Sequence, residues 1–249
     1  RVVAHRHDSK GSTWVAIPSV GLIRFDVADD GAKLLLGQII ESESIKGSIQ
    51  SLWIDKENNL FVTTSLGTLY TFESQTQKFV EVGNCNSEVL SICNYKDRVC
   101  VLTSGELYFV EDTKLKCVAR GERLSAMAVG GDGAQLYVGD SKGGLFRLKE
   151  GDGLLEIDYS GDRLARIRHL ESDSYGIVWI TTAEAGISRF NPTDGSCKRF
   201  YHEPNTVSYN IDTIPKLVES SGRLWIKMNH YGFGYYNREQ DRVEPFYND

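Results

Sequence analysis

The sequence predicts an all-β fold, a β-propeller of about six four-stranded blades, and three observations carry that prediction. A short phrase recurs six times: an acid, two residues, a glycine, two residues and an aromatic, leading on to a second glycine and a further aromatic. The second glycines fall at Gly21, Gly67, Gly105, Gly144, Gly186 and Gly232, with gaps of 46, 38, 39, 42 and 46 residues. That is the length of four short antiparallel strands with tight turns. The runs between glycines, such as Leu60–Thr64 and Val178–Thr182, are short, β-branched and aromatic, and no convincing amphipathic helix interrupts them.

In the first copy, Asp8-Ser9-Lys10-Gly11-Ser12-Thr13-Trp14 leads to Gly21 and Phe25, with strands expected at about 1–8, 12–18, 21–28 and 33–40. In the second, Asp55 to Phe61 leads to Gly67 and Phe72, with Asn58 in the first glycine slot. The third and fourth copies are weaker, around Cys100 and Gly105 and around Tyr137 and Gly144. The fifth is the fullest: Asp173-Ser174-Tyr175-Gly176-Ile177-Val178-Trp179 leads to Gly186 and Phe190. In the sixth, Glu219 to Trp225 leads to Gly232 and Tyr236, with strands expected at about 211–218, 223–228, 232–237 and 241–247. The blades are therefore placed at about 1–40, 46–82, 87–120, 123–160, 163–202 and 209–249 of a single domain. The alternative is an incomplete part of a seven-bladed propeller.

Each slot has a physical reason. A short acidic side chain bonds the backbone of the turn between strands one and two, and glycine accepts positive φ there. Strand two is nearly all apolar, as a strand buried on both faces must be. The second glycine marks the next turn or a close backbone approach. The aromatics after it (Phe25, Phe72, Phe109, Phe146, Phe190, Tyr236) are expected between blades, and Trp14, Phe61, Trp179 and Trp225 are expected to be buried. Both ends are in phase with the repeat, so no strand is borrowed across the termini. The first residue is Arg1 rather than Met, and the expectation is a fragment of a longer protein.

Composition narrows the function classes. Of 249 residues, 41% are hydrophobic and 25% charged, ordinary for a globular domain. No apolar run of about 18 residues and no signal-peptide pattern are present. A net charge of −6 speaks against a nucleic-acid partner. The five cysteines, without a Cys-x-x-Cys spacing, suggest neither a disulfide framework nor a zinc site. If Lys96-Asp97 is a two-residue hairpin turn, Cys93 and Cys100 face each other across it, as two buried thiols or as a disulfide if the geometry allows. His5 and His7 share a strand face, but no third ligand is visible, so no metal is expected.

A group present in every blade serves the scaffold, because an active site needs unlike groups converging once. No catalytic residue and no cofactor are expected. The acid-to-glycine spacing of three also departs from the Ser-x-Asp-x-Gly-x-x-Trp turn of sialidase-like propellers, although a propeller glycosidase or lyase remains an alternative. A protein-binding scaffold is the other. The residues that do not recur are the better site candidates. The connection from His202 through Tyr209 and the segment Lys227-Met228-Asn229-His230-Tyr231 join aromatic, amide and imidazole groups, which suit a sugar. The candidate ligand-binding residues are His202, Tyr209, Asn229, His230 and Tyr231. Thr181-Thr182-Ala183-Glu184 and Asp140-Ser141-Lys142 occupy the matching loop in other copies.

Asp173, Gly176, Trp179, Ile180 and Thr182, followed by Gly186, Ile187, Arg189, Phe190, Asn191, Pro192, Gly195 and the run Phe200 to His202, resemble the two-component regulator propeller repeat. Pro204-Asn205-Thr206-Val207-Ser208-Tyr209-Asn210-Ile211 resembles its lead-in to the next blade. The resemblance covers essentially the whole chain, with six copies where that family has seven. It implies the periplasmic sensor region of a hybrid two-component histidine kinase of Bacteroidetes-type bacteria, anchored in the inner membrane and responding to an oligosaccharide. Further domains of the same chain and a homodimer of the full-length protein are the implied partners.

Overall fold

The structure, a computed structural model, describes residues 2–17, 20–26, 37–40, 43–162, 164–183, 186–200, 217–228 and 232–246. These residues form strands and turns, with no helix among them. The first sheet holds β1 (Ala4–His7), β2 (Thr13–Ile17), β3 (Gly21–Phe25) and β4 (Gln38–Ile40). The second holds β5 (Ile49–Ile54), β6 (Leu60–Thr64), β7 (Thr68–Glu73) and β8 (Lys78–Asn84). The third holds β9 (Ser91–Tyr95), β10 (Arg98–Leu102), β11 (Glu106–Glu111) and β12 (Lys114–Arg120). The fourth holds β13 (Leu124–Val129), β14 (Leu136–Asp140), β15 (Leu145–Lys149) and β16 (Gly153–Glu156). The fifth runs β17 (Ser160–Gly161), β18 (Ile167–Ser172), β19 (Val178–Thr182), β20 (Ile187–Asn191) and β21 (Ser196–Phe200). The sixth runs β22 (Leu217–Ser220), β23 (Arg223–Met228), β24 (Gly232–Asn237) and β25 (Arg242–Phe246).

Each sheet is a meander of consecutive antiparallel strands, the build of a β-propeller blade. Strands from the two ends of the chain share no sheet among the described residues. The fifth sheet departs from the expected four strands. Its two-residue β17 pairs in parallel with β21, outside the antiparallel set. The chain divides into two compact units, residues 1–117 and 118–249.

The recurring acid is a turn hub. The Asp173 Oδ1 accepts the backbone N–H groups of Tyr175 and Ile177, both at 3.0 Å, and its Oδ2 accepts Trp179 Nε1–H at 2.8 Å. Asp8 repeats the pattern with Lys10, Ser12 and a longer bond from Trp14 Nε1 at 3.4 Å. Asp55 and Asp140 each accept the N–H groups two and four residues on. Gly176 lies at φ 80° and Asn58, in the same slot, at φ 66°. Asparagine tolerates this left-handed region better than most residues with a side chain. At Gly67 the reason is space as well: a Cβ would sit 2.3 Å from the Ser87 carbonyl oxygen.

In the sixth copy the acid does something else. Glu219 accepts Ser174 N–H and Ser174 Oγ–H, both at 2.7 Å, and so ties the sixth sheet to the turn of the fifth. Asn58 grips Ser9 in the same way in the first unit, with Oδ1 accepting Ser9 N–H at 2.9 Å. The residue after the acid is thus held by the following sheet.

The core lies between consecutive sheets of one unit. Trp14, Leu22, Leu60, Val62 and Phe72 pack between the first and second sheets, and Phe61, Leu69, Val99 and Val101 between the second and third. In the second unit Tyr137, Leu145, Ile167, Ile180 and Phe190 fill the space between the fourth and fifth, and Trp179, Leu224, Ile226 and Tyr236 that between the fifth and sixth. Strands β6, β14 and β19 are buried along their whole length. Strands β2 and β23 bury one face only. Trp225 is consequently half-buried, not buried as its sequence position suggests, and it shares its face with Phe233 and Phe246, which are 57% and 45% exposed. Phe25 and Phe146 are likewise half-buried, while Phe72, Phe109, Phe190 and Tyr236 are buried.

Strand one of the second, fourth and fifth sheets carries a β-bulge at the same place, between Ile49 and Ser51, Leu124 and Ala126, and Ile167 and His169. An extra residue there sharpens the strand's local twist. No helix of the described residues is long and apolar enough to cross a membrane.

Candidate functional site

The candidate residues His202, Tyr209, Asn229, His230 and Tyr231, and the lead-in Pro204–Ile211, lie outside the described residues. Of the neighbouring loop groups, Thr181 and Thr182 are buried at the end of β19, with hydroxyls that find no hydrogen-bond partner among the described residues. Asp140 is buried as a turn hub. Lys227 is exposed near the end of β23. His5 and His7 meet edge to face at 5.9 Å, and His7 Nδ1 bonds Thr13 Oγ1. No group of three or more metal-binding side chains occurs among the described residues.

The structure brings together one constellation that the sequence did not flag. A cavity of about 340 Å3 lies between the fourth and fifth sheets of the second unit. Tyr137 and Arg147 reach it from register partners on β14 and β15. Glu156 and Asp158 line it from the end of β16 and the connection after it, and Phe190 and Pro192 from β20 and its turn. Arg147, Glu156 and Asp158 are exposed and make no ion pair or hydrogen bond among the described residues. Tyr137 is 7% exposed, and its hydroxyl has no hydrogen-bond partner there either. Burial, followed by the charge of Asp132, raises the Tyr137 pKa, so the phenol stays protonated and available as a donor. No sequence signal set Tyr137 and Arg147 apart, because they occupy the recurring slots of Trp14 and Trp179 and of Arg24 and Arg189.

Two ionic clusters elsewhere in this unit are engaged. Arg238, from the turn between β24 and β25, places Nη2 2.9 Å from the Asp173 Oδ2 and lies 3.8 Å over the Tyr175 ring. Arg189 Nη1 and Lys198 Nζ each approach an Asp241 oxygen at 2.6 Å. Burial pushes the Asp241 carboxyl up, but hydrogen bonds from Lys198 and Tyr236 outweigh it and hold the group below the usual carboxylate range.

Cys93 and Cys100 are register partners across the Lys96-Asp97 turn, as the spacing predicts. They are two thiols rather than a disulfide. The hydrogen bond with Cys93, and then burial, push the Cys100 thiol far above the ordinary range. Burial raises Cys85 and Cys197 to about 11 each. The thiolate is the reactive form, so alkylation at about pH 8 is expected to spare Cys85, Cys100 and Cys197 in the native protein and to label them in guanidinium. Peptide mass spectrometry reads this out, and native labelling of Cys100 at the unfolded rate would contradict it.

No family model and no curated protein match the chain. Solved structures do share its fold. Virginiamycin B lyase from Staphylococcus aureus superposes with a TM-score of 0.69 at 14% identity, covering 100% of this chain and 84% of that one. The extracellular domain assigned to the hybrid two-component system BT3049 of B. thetaiotaomicron gives 0.68 at 19% identity, over 98% of this chain and 34% of that one. PorZ, a surface component of the type-IX secretion system of Porphyromonas gingivalis, gives 0.70 at 11%, over 99% and 33%. The class is therefore that of the β-propellers, and its solved members include both extracellular domains of two-component systems and a lyase. The chain spans about a third of the extracellular domains it resembles.

Proposed function

We propose that the chain is an extracytoplasmic, ligand-binding sensor propeller of a hybrid two-component histidine kinase, periplasmic, responding to an oligosaccharide and without catalysis of its own. The observation that carries this reading is how the recurring acids are used. Asp8, Asp55, Asp140 and Asp173 are all committed to backbone N–H groups of their own turns, so the repeat builds scaffold and leaves recognition to residues that do not recur. The motif from Asp173 onward and the shared fold of two-component extracellular domains support the same reading. His202, Tyr209, Asn229, His230 and Tyr231 are the residues assigned to the sugar. A ligand signals only by binding one arrangement of the sensor more tightly than the other.

The shared fold and extent of the streptogramin-cleaving lyases favour a second reading, a propeller lyase. Thermal-shift screening against an oligosaccharide panel, with product analysis of every sample, separates the two. A rise in melting temperature without turnover is expected, because ligand that binds only the folded state stabilises it. Product formation would replace the sensor with an enzyme. No shift with any saccharide, on this chain and on the full sensor region, would remove the oligosaccharide.

A further inference from the structure

The cavity between the fourth and fifth sheets has the chemistry of a site, and of a different ligand. Several cations and carboxylates elsewhere in the chain pair directly, as Arg24 does with Asp26, Arg98 with Glu111 and Arg242 with Glu244. Around this cavity they do not. Arg147, from β15, and Glu156 and Asp158, from the end of β16 and the connection after it, line the same space without an ion pair or hydrogen bond to one another or to any other described group. Tyr137, whose ring is buried, adds a hydroxyl at the cavity wall that has no hydrogen-bond partner among the described residues and is free to donate to a ligand. Gln135 Nε2 donates to the Leu136 and Leu148 carbonyls, which turns its own amide oxygen into a spare acceptor. Asp132, the remaining charge near Tyr137, has its Oδ1 taken by Ala134 N–H. Phe190, Ile157 and Pro192 supply the apolar part of the wall.

We infer that this cavity binds a small zwitterion with an apolar or aromatic body, of the amino-acid or short-peptide class. The Arg147 fork takes the ligand carboxylate, for which a guanidinium's paired N–H donors are matched in shape. Glu156 and Asp158 take the ammonium, and the side chain lies towards Phe190 and Pro192. A volume of about 340 Å3 is at the lower end of small-molecule pockets, which suits a ligand of this size. A neutral saccharide would leave the guanidinium and both carboxylates without opposite charges. This site shares no residue with those assigned to the sugar above, and either assignment can fail without the other.

Calorimetric titration of the full chain tests the inference with L-phenylalanine and the dipeptide Leu-Phe as probes. N-acetyl-phenylalanine, phenylalanine amide and a neutral disaccharide serve as controls. Both zwitterions are expected to bind, and capping either end is expected to weaken binding about tenfold or more, the loss of one charge-assisted contact. Arg147→Gln, and separately Glu156→Gln with Asp158→Asn, should each weaken the zwitterions by roughly ten- to a hundredfold. Their unliganded melting temperatures should stay at the wild-type value, since these side chains hold no partner in the fold. Tyr137→Phe keeps the ring and should weaken binding by a smaller factor. Absence of heat from both zwitterions, equal binding of capped and uncapped probes, or tight binding of the disaccharide lost in Arg147→Gln would each overturn it.

Discussion

Asp173→Ala is expected to destabilise the second unit by about 3–5 kcal/mol, because several donors around a buried carboxylate lose their acceptor at about 1–3 kcal/mol each. The carboxylate is 1% exposed and serves four donors at once: the N–H groups of Tyr175 and Ile177, Trp179 Nε1–H and the Arg238 guanidinium. Removing it takes the acceptor from the two backbone N–H groups and the indole N–H. Only Arg238 has a second acidic neighbour, Glu219 at 3.8 Å. Asp173→Asn is no rescue, because an amide that keeps its oxygen on the two backbone donors turns its NH2 towards two further donors. The matching change at Asp8 is the internal control. Asp8 is half-buried, its indole bond is 3.4 Å long and no cation among the described residues pairs with it, so Asp8→Ala should cost about 1–2 kcal/mol. Urea denaturation followed by tryptophan fluorescence measures both. Equal midpoints for the two variants would show that Asp173 is an ordinary turn acid.

The contrast between these two aspartates shows what the sequence makes legible. The turn role of the acid can be read locally: the residues that Asp8 and Asp173 bond lie two, four and six positions on, inside the same phrase. The strand-two runs Leu60–Thr64 and Val178–Thr182, and the hairpin that sets Cys93 against Cys100, are local as well. What joins one sheet to the next is not. Arg238 reaches Asp173 across 65 positions, Glu219 reaches Ser174 across 45 and Asn58 reaches Ser9 across 49, and no periodicity marks those residues as partners. The half-burial of Trp225 follows the same logic. Its position in the phrase equals that of Trp179, but burial depends on which sheet covers the face, and β23 is covered on one side only. The cavity is harder still, since Gln135, Arg147, Asp158 and Phe190 come from four separate segments and acquire a common environment only when two sheets pack.

Trp179→Ala is the second large effect, at about 3–5 kcal/mol, the usual cost of truncating a fully buried large aromatic. The indole is 0% exposed and stands at the centre of the contact between the fifth and sixth sheets. It meets the Tyr236 ring edge to face at 4.6 Å and lies against Phe200 at 6.2 Å. Tyr236 in turn bonds Arg189 and Asp241, so the cavity left by truncation borders a charged cluster and cannot collapse without disturbing it. Trp225→Ala offers the comparison. Half-buried and flanked by Phe246 at 5.3 Å, Trp225 should cost about 1–2 kcal/mol. Because Trp179 donates to Asp173, the double variant Asp173→Ala/Trp179→Ala should fall short of the sum of the single losses by about 0.5–3 kcal/mol. Chemical denaturation of the three variants tests this. A midpoint like that of the unsubstituted protein for Trp179→Ala would remove the blade assignment, and strict additivity would separate the indole from the hub.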